Sequence, residues 1–342
     1  MKAVLMRQTG APEVLQRAEV DMPLMVEDHA VLVRVEAAGV NPVDTKLRAR
    51  GTYFPERMPA ILGCDGAGVV EAVGAGVSRF APGDAVWWCH GGVGGEGGSY
   101  AQYKLLEERL LAKKPESLDF ASAAAAPLVL ITAWESLHDR AHIRDRQTVL
   151  IHAGAGGVGH IAIQLATAAG CRVITTVSDE EKAAFVRGLG AEEVILYPQQ
   201  DVAEATLAAT AGQGAEVVFD TVGGPTLDLS FRAARPYAQV VSLLQPGPDT
   251  DWKTARLRNI GTALELMLSP QVFAANGGAE AKLWREAEQH QVWILDQCRE
   301  LFDAGQLTLH LADSLPLEQA AEAHRRLETG GMLGKLSLRI DH

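Results

Sequence analysis

The sequence predicts an α/β protein in two parts: a compact β-barrel-like domain and a doubly wound parallel sheet of six strands. Three observations carry this. First, the stretch from Thr148 to Lys182 reads as strand, glycine-rich turn, helix, strand. Second, apolar runs at 148–152, 172–177, 193–197, 215–220, 239–244 and about 259–267 alternate with helical segments. Third, residues 1 to about 127 lack that rhythm, and short strand-like runs recur there instead. The 342 residues exceed one ordinary core, so two domains are expected.

In chain order, the first half offers Lys2–Met6, Val31–Ala37, Gly68–Val73, Asp84–Trp88 and Tyr100–Leu105 as strands. Turn-rich pieces such as Asn41-Pro42 and Ala81-Pro82-Gly83-Asp84 separate them. Val31–Ala37 alternates, as a half-buried antiparallel strand should. Gly91 to Gly98 contains six glycines, but a strand-like segment follows it rather than a helix, so it reads as a surface loop without a phosphate role. Residues 122–137 are alanine-rich and apolar, suited to buried helices.

Within the alternating half, Gly154, Gly157 and Gly159 form G-x-x-G-x-G at the strand-to-helix turn. Small residues let the backbone pass close to a pyrophosphate, and the helix N-terminus offers it N–H groups and partial positive charge. Ser178 with Glu181, and Asp201 with Glu204, read as capping boxes. Gly190 fits a helix end and Pro225 a first turn. Beyond Met267 come a helix over about 280–304, a strand near Leu307–Leu311, a helix over about 317–329, and Lys335–Ile340, a strand suited to return to the first domain. The expected division is therefore 1–127 with 269–342 around a nucleotide domain at 128–268.

Composition narrows the function. The net charge is −12 with no basic tract, which disfavours nucleic acid or an anionic membrane as a partner. No apolar run approaches a membrane span. Met1–Arg7 has too short an apolar core for a signal peptide and reads as a strand. The four cysteines are widely spaced and form no C-x-x-C, which suits a cytoplasmic protein with free thiols.

With these residues placed, the chain resembles the medium-chain dehydrogenase/reductase superfamily in its zinc-independent quinone oxidoreductase branch. The carriers are Gly39–Asp44, Pro59–Val70, Ala81–Val86, the glycine fingerprint, Asp220-Thr221-Val222-Gly223-Gly224 and Gly334-Lys335-Leu336. The resemblance implies a GroES-like substrate domain, a Rossmann domain, a cleft between them, and a homodimer or homotetramer built partly on the sixth Rossmann strand. Zinc relatives carry Cys where Asn41 stands and a His-Glu pair where Cys64-Asp65 stands; the four-cysteine structural lobe is also missing, Cys89 being alone. Asn41 is a poor zinc ligand, so no metal is expected. Without zinc, a conjugated carbonyl is easier to reduce than an isolated one, because the charge spreads onto oxygen as an enolate.

The expected activity is NADPH-dependent reduction of quinones or α,β-unsaturated carbonyls. A zinc-dependent alcohol dehydrogenase and a non-catalytic nucleotide-binding scaffold stand as alternatives. The resemblance places Asn41, otherwise an Asx-turn residue, at the nicotinamide and substrate. It makes Tyr53, otherwise a loop-packing residue, a cleft donor to a carbonyl oxygen. Asp44 and Lys46 either line the cleft or are solvated. It extends cofactor contact to Thr132, Gly154, Gly156, Gly157, Val158, Gly159, Thr221, Val222 and Lys335. His152 and His160 flank the turn without chemistry, and Ser269–Ala281 is longer than a minimal core needs.

Cofactor choice turns on the end of the second parallel strand, where an NAD site places an acid against the ribose 2′-OH. That position falls on Val177, which has no charge. Ser178, Lys182 and Tyr197 stand ready for a 2′-phosphate, an arrangement the resemblance shares. Asp179 and Glu180 stand close enough to weaken phosphate binding if they point inward; as residues of the first helical turn they are expected to face solvent. NADPH is then preferred over NADH by about tenfold or more in kcat/KM, the worth of a charge-assisted contact.

Overall fold

The computed structural model describes residues 1–274 and 279–342 and divides the chain into two compact units. The first comprises Met1–Leu128, Leu268–Gly305 and Leu309–His342; the second comprises Val129–Met267 with Gln306–Thr308.

The second unit is built on six parallel strands. Their spatial order is Glu193–Leu196, Arg172–Val177, Thr148–Ile151, Ala215–Asp220, Ala234–Ser242, Gly261–Leu264. Every neighbouring pair is parallel. Numbered along the chain this is 3-2-1-4-5-6, the doubly wound order, whose ligand crevice lies beyond the carboxyl ends where the order reverses. Parallel strands covered on both faces must be apolar throughout. Accordingly Leu150, Ile174, Val218 and Val240 are fully buried, with Phe231 packed among the same residues.

The fifth strand begins earlier than its apolar run suggests. Ala215 pairs with Ala234 and Val217 with Gln239, so an irregularity absorbs Arg235–Ala238. Pro236, which lacks an N–H, and Tyr237, at φ 63°, conceal the strand in the sequence.

The first unit holds the sheet Leu311–Pro316, Lys335–Arg339, Ala30–Val40, Asp65–Val73, Ala85–Cys89, Ala112–Lys113, with Tyr103–Glu107 also on Ala30–Val40. A three-stranded sheet, Leu15–Glu19, Lys2–Met6, Ala60–Ile61, accompanies it. Ala30–Val40 is long enough to pair with three partners, and Val31, Val33 and Val35 bury their side chains between its more exposed neighbours. The returning strand pairs antiparallel with it, Leu336 opposite Val40.

Two expectations are corrected. The strand read near Leu307–Leu311 is Leu311–Pro316. Thr308 is held instead by the side chain of Gln164, which accepts from its N–H at 2.8 Å and donates to its carbonyl at 3.0 Å. The Gly91–Gly98 stretch is largely packed rather than a surface loop. Gly98 N–H donates to Ile61 O at 3.0 Å, and Gly92, Val93 and Gly94 are buried. The Ser269–Ala281 stretch forms a helix over Ser269–Ala274, and its residues 275–278 lie outside those described.

Candidate active site

The glycine turn leaves the strand Thr148–Ile151 and enters the helix Gly157–Ala168. Gly156 is the N-cap and has no side chain to satisfy the first-turn N–H groups, which suits an external anion. Two glycines are required by contact. A Cβ on Gly154 would lie 2.1 Å from Thr175 Oγ1, and one on Gly159 would lie 2.3 Å from Ala153 O. The turn is also tied to the adjoining strand: Gly154 N–H donates to Thr176 O at 3.0 Å, and Ala153 N–H to Thr176 Oγ1 at 3.0 Å. The backbone thus forms a cradle of the shape a dinucleotide pyrophosphate needs, with Gly156, Gly157, Val158 and Gly159 opening the helix.

The carboxyl end of Ala215–Asp220 stands beside it, since Phe219 pairs with Ile151. Asp220 fixes the following turn by accepting from Val222 N–H at 2.9 Å, Gly223 N–H at 2.8 Å and the Ser242 hydroxyl at 2.9 Å. Thr221 donates its hydroxyl to His152 O at 2.8 Å, and Val222 is left 45 % exposed. His152 is buried against Ser230 Oγ at 3.1 Å, and burial lowers its pKa to about 4, so it is neutral and structural. His160 is buried with Nδ1 2.9 Å from Gly156 O. Thr132 is buried on the helix Pro127–Trp134.

At the end of the second strand, Val177 is buried, Tyr197 N–H donates to its carbonyl at 3.2 Å, and the Tyr197 side chain is half-exposed. Lys182 Nζ donates to Ser178 Oγ at 2.6 Å. Here two expectations are corrected. The helix Glu180–Gly188 is capped by Asp179, not Ser178: Asp179 Oδ1 accepts from Lys182 N–H at 2.9 Å. Nor is the Asp179 carboxylate turned away. Its Oδ2 accepts from Ser178 Oγ at 2.7 Å and lies 3.0 Å from Lys182 Nζ. An N-cap side chain must fold back over the first turn, and Lys182 is there.

In the first unit, Asn41 caps the helix Pro42–Arg50 and is fully buried. Its Nδ2 donates to Asp65 Oδ2 at 2.9 Å, and its Oδ1 accepts from the buried ammonium of Lys335, which also donates to Val40 O at 3.0 Å. Asp44 is neither solvated nor free: it is buried, accepts from Asn41 N–H at 2.8 Å, and has Tyr100 Oη 3.3 Å away. Lys46 is exposed. Tyr100 Oη lies 3.2 Å from His324 Nε2. Burial pushes Asp44 up to about 7, and Asp65 adds to the rise. Sequence reasoning missed Tyr100 and His324, which stand 56 and 224 residues from their partners.

Tyr53 follows that helix, its N–H donating to Val93 O at 3.0 Å and its ring 43 % exposed. Burial, then the neighbouring Cys64, raises its phenol pKa, so it is a proton-bearing donor at neutral pH. Burial likewise holds Cys64 and Cys89 as neutral thiols. Asp65 spends Oδ1 on Leu128 N–H at 2.9 Å. Among the described residues no group of three His, Cys, Asp or Glu side chains is arranged to hold a metal ion. No described helix is long and apolar enough to cross a membrane.

A doubly wound sheet with a phosphate cradle at its reversal point, joined to a separate β-rich unit, defines a nucleotide-dependent oxidoreductase of the dehydrogenase class. Comparisons agree: residues 27–116 match the alcohol dehydrogenase GroES-like domain, and residues 189–338 match a family described as zinc-binding dehydrogenase. The chain is 34 % identical to a quinone oxidoreductase of Pseudomonas aeruginosa over 93 % of both chains. Among solved structures, an NAD-dependent alcohol dehydrogenase superposes with TM-score 0.87 at 30 % identity, covering all of both chains. The Escherichia coli quinone oxidoreductase complexed with NADPH superposes with TM-score 0.85 at 27 % identity, covering 99 % of this chain and 100 % of its own. The chain belongs to the quinone oxidoreductase branch of the medium-chain dehydrogenase/reductase superfamily.

Proposed function

We propose that this protein reduces quinones and other α,β-unsaturated carbonyls with NADPH, without a metal. The observation that carries the cofactor reading is the contact of Lys182 with Ser178 at a strand end where Val177 offers no charge, with Tyr197 hydrogen-bonded through its backbone to Val177. The glycine cradle fits the pyrophosphate, and Thr221 and Val222 border the neighbouring strand end. When bound, NADPH supplies the hydride. A quinone is itself a conjugated enedione, and the name of the Pseudomonas relative supports that substrate class.

The chain's own part is to orient the substrate and steady its oxygen. Tyr53 keeps its proton and donates a hydrogen bond to the carbonyl oxygen as negative charge grows there. Asn41 and Lys335 act as positioning residues: the buried amide and ammonium fix the turn that leads into the helix carrying Tyr53 at its far end. Asp65 spends both carboxylate oxygens on Asn41 and Leu128, and Asn41 is a poor ligand, so the residues here do not assemble the three-ligand set a catalytic zinc needs.

The test is NADPH oxidation by 1,4-benzoquinone and by a simple enone, with ethanol oxidation by NADP+ as comparison. Turnover with the first two and little with ethanol is expected. Efficient alcohol oxidation without enone reduction overturns the reading.

A further inference from the structure

The corner assigned to the 2′-phosphate holds an anion of the chain's own. Asp179 takes three donors, the Ser178 hydroxyl, the Lys182 backbone N–H and the Lys182 ammonium, at 2.7, 2.9 and 3.0 Å. A phosphate monoester would recruit the same hydroxyl and the same ammonium. The Lys182 charge is therefore already matched, and a phosphate approaching Ser178 meets a carboxylate as well as a cation. The Lys182 backbone N–H, then the Ser178 hydroxyl, then the Lys182 side chain hold the Asp179 carboxyl down at about 2, so it is ionised at any working pH. Asp179 is half-exposed, which lets it rotate aside at the cost of its contacts.

We propose that Asp179 sets nucleotide selectivity by occupying the Ser178–Lys182 corner, holding the preference for NADPH over NADH below what those two donors would give alone. The inference rests on the assignment of this corner to the 2′-phosphate. NADPH must displace the carboxylate or share the lysine with it. NADH, with only a ribose hydroxyl there, leaves the group intact. The solved relatives include one bound to NADPH and one described as NAD-dependent, so both cofactors occur around this fold.

The variant is Asp179→Asn. Asparagine caps helices about as well as aspartate, so the charge is removed and the cap kept. Asp179→Ser does the same with a different shape. Direct binding to the purified protein is measured by calorimetry for NADPH, NADH, adenosine 2′,5′-bisphosphate and AMP, with melting temperature as the check on folding. Both variants should bind NADPH and the bisphosphate about tenfold more tightly than wild type, and NADH and AMP should change by less than about threefold. NADPH binding that does not tighten in either folded variant refutes the proposal. A higher NADPH-to-NADH ratio produced wholly by weaker NADH binding also refutes it, since Asp179 would then be a direct ribose ligand. If wild type binds neither dinucleotide, the functional reading itself falls, and the inference with it. If wild type prefers NADPH and both variants keep the same constants as wild type, the functional reading stands and only the role of Asp179 is lost.

Discussion

Asp44→Asn should raise stability at neutral pH while leaving it little changed in mild acid. The Asp44 carboxyl is buried, and Oδ1 has no hydrogen-bond partner among the described residues. Its Oδ2 takes Asn41 N–H, a bond asparagine can keep through its carbonyl oxygen. Burial, with Asp65 adding to it, moves the group from its ordinary value of 3.8 to about 7. A carboxyl with a raised folded pKa favours the fold when protonated, and that contribution is lost as pH rises from about 4 through 7. Each pH unit in that window costs about 1.4 kcal/mol. Between pH 5 and pH 7 wild type should therefore lose about 2 kcal/mol relative to Asp44→Asn, and above pH 7 the difference should level off. Urea unfolding of both proteins at pH 5, 6, 7 and 8 measures it, and titrating groups that do not interact with Asp44 cancel in the difference. Parallel profiles across pH 5 to 7 would show that Asp44 is not held protonated by burial, and the reasoning would fail.

Tyr53→Phe should lower kcat for benzoquinone by about tenfold, the worth of one hydrogen bond to a developing charge, while KM moves little; an unchanged kcat returns Tyr53 to packing. Lys182→Ala should weaken NADPH binding by about tenfold and leave Asp179 as the only charge in the corner, with NADH affected far less; equal losses for both dinucleotides would mean that Lys182 does not meet the phosphate. Purified protein should carry no stoichiometric zinc by elemental analysis, and exhaustive chelation should leave quinone reduction intact. Activity lost on chelation and restored by zinc would contradict the reading of Asn41, Cys64 and Asp65.

The sequence by itself determined the layers and the cradle. Six apolar runs with crossover helices specify a parallel sheet because its central strands, Arg172–Val177, Thr148–Ile151 and Ala215–Asp220, are buried on both faces, and that burial is written locally in their sequence. The positions of Gly154 and Gly159 were legible for the same reason: a close backbone approach excludes a Cβ whatever the distant chain does. Even where an end was misread, as at Ala234–Ser242, the error came from a proline and a left-handed tyrosine inside one strand. The tertiary structure alone decided which charges meet. Asp44, Tyr100 and His324 come together from three distant segments, and nothing near Asp44 announces that its carboxylate is denied water. Lys335 reaches Asn41 only because the last strand pairs with Ala30–Val40. The Asp179 cap is the narrowest case. The residues were all in view within one turn, but whether the carboxylate faced solvent or Lys182 depended on a one-residue shift of the helix start. Hydrogen-bond geometry at the N-cap fixes that shift, and apolar periodicity, which located the helix, does not report it.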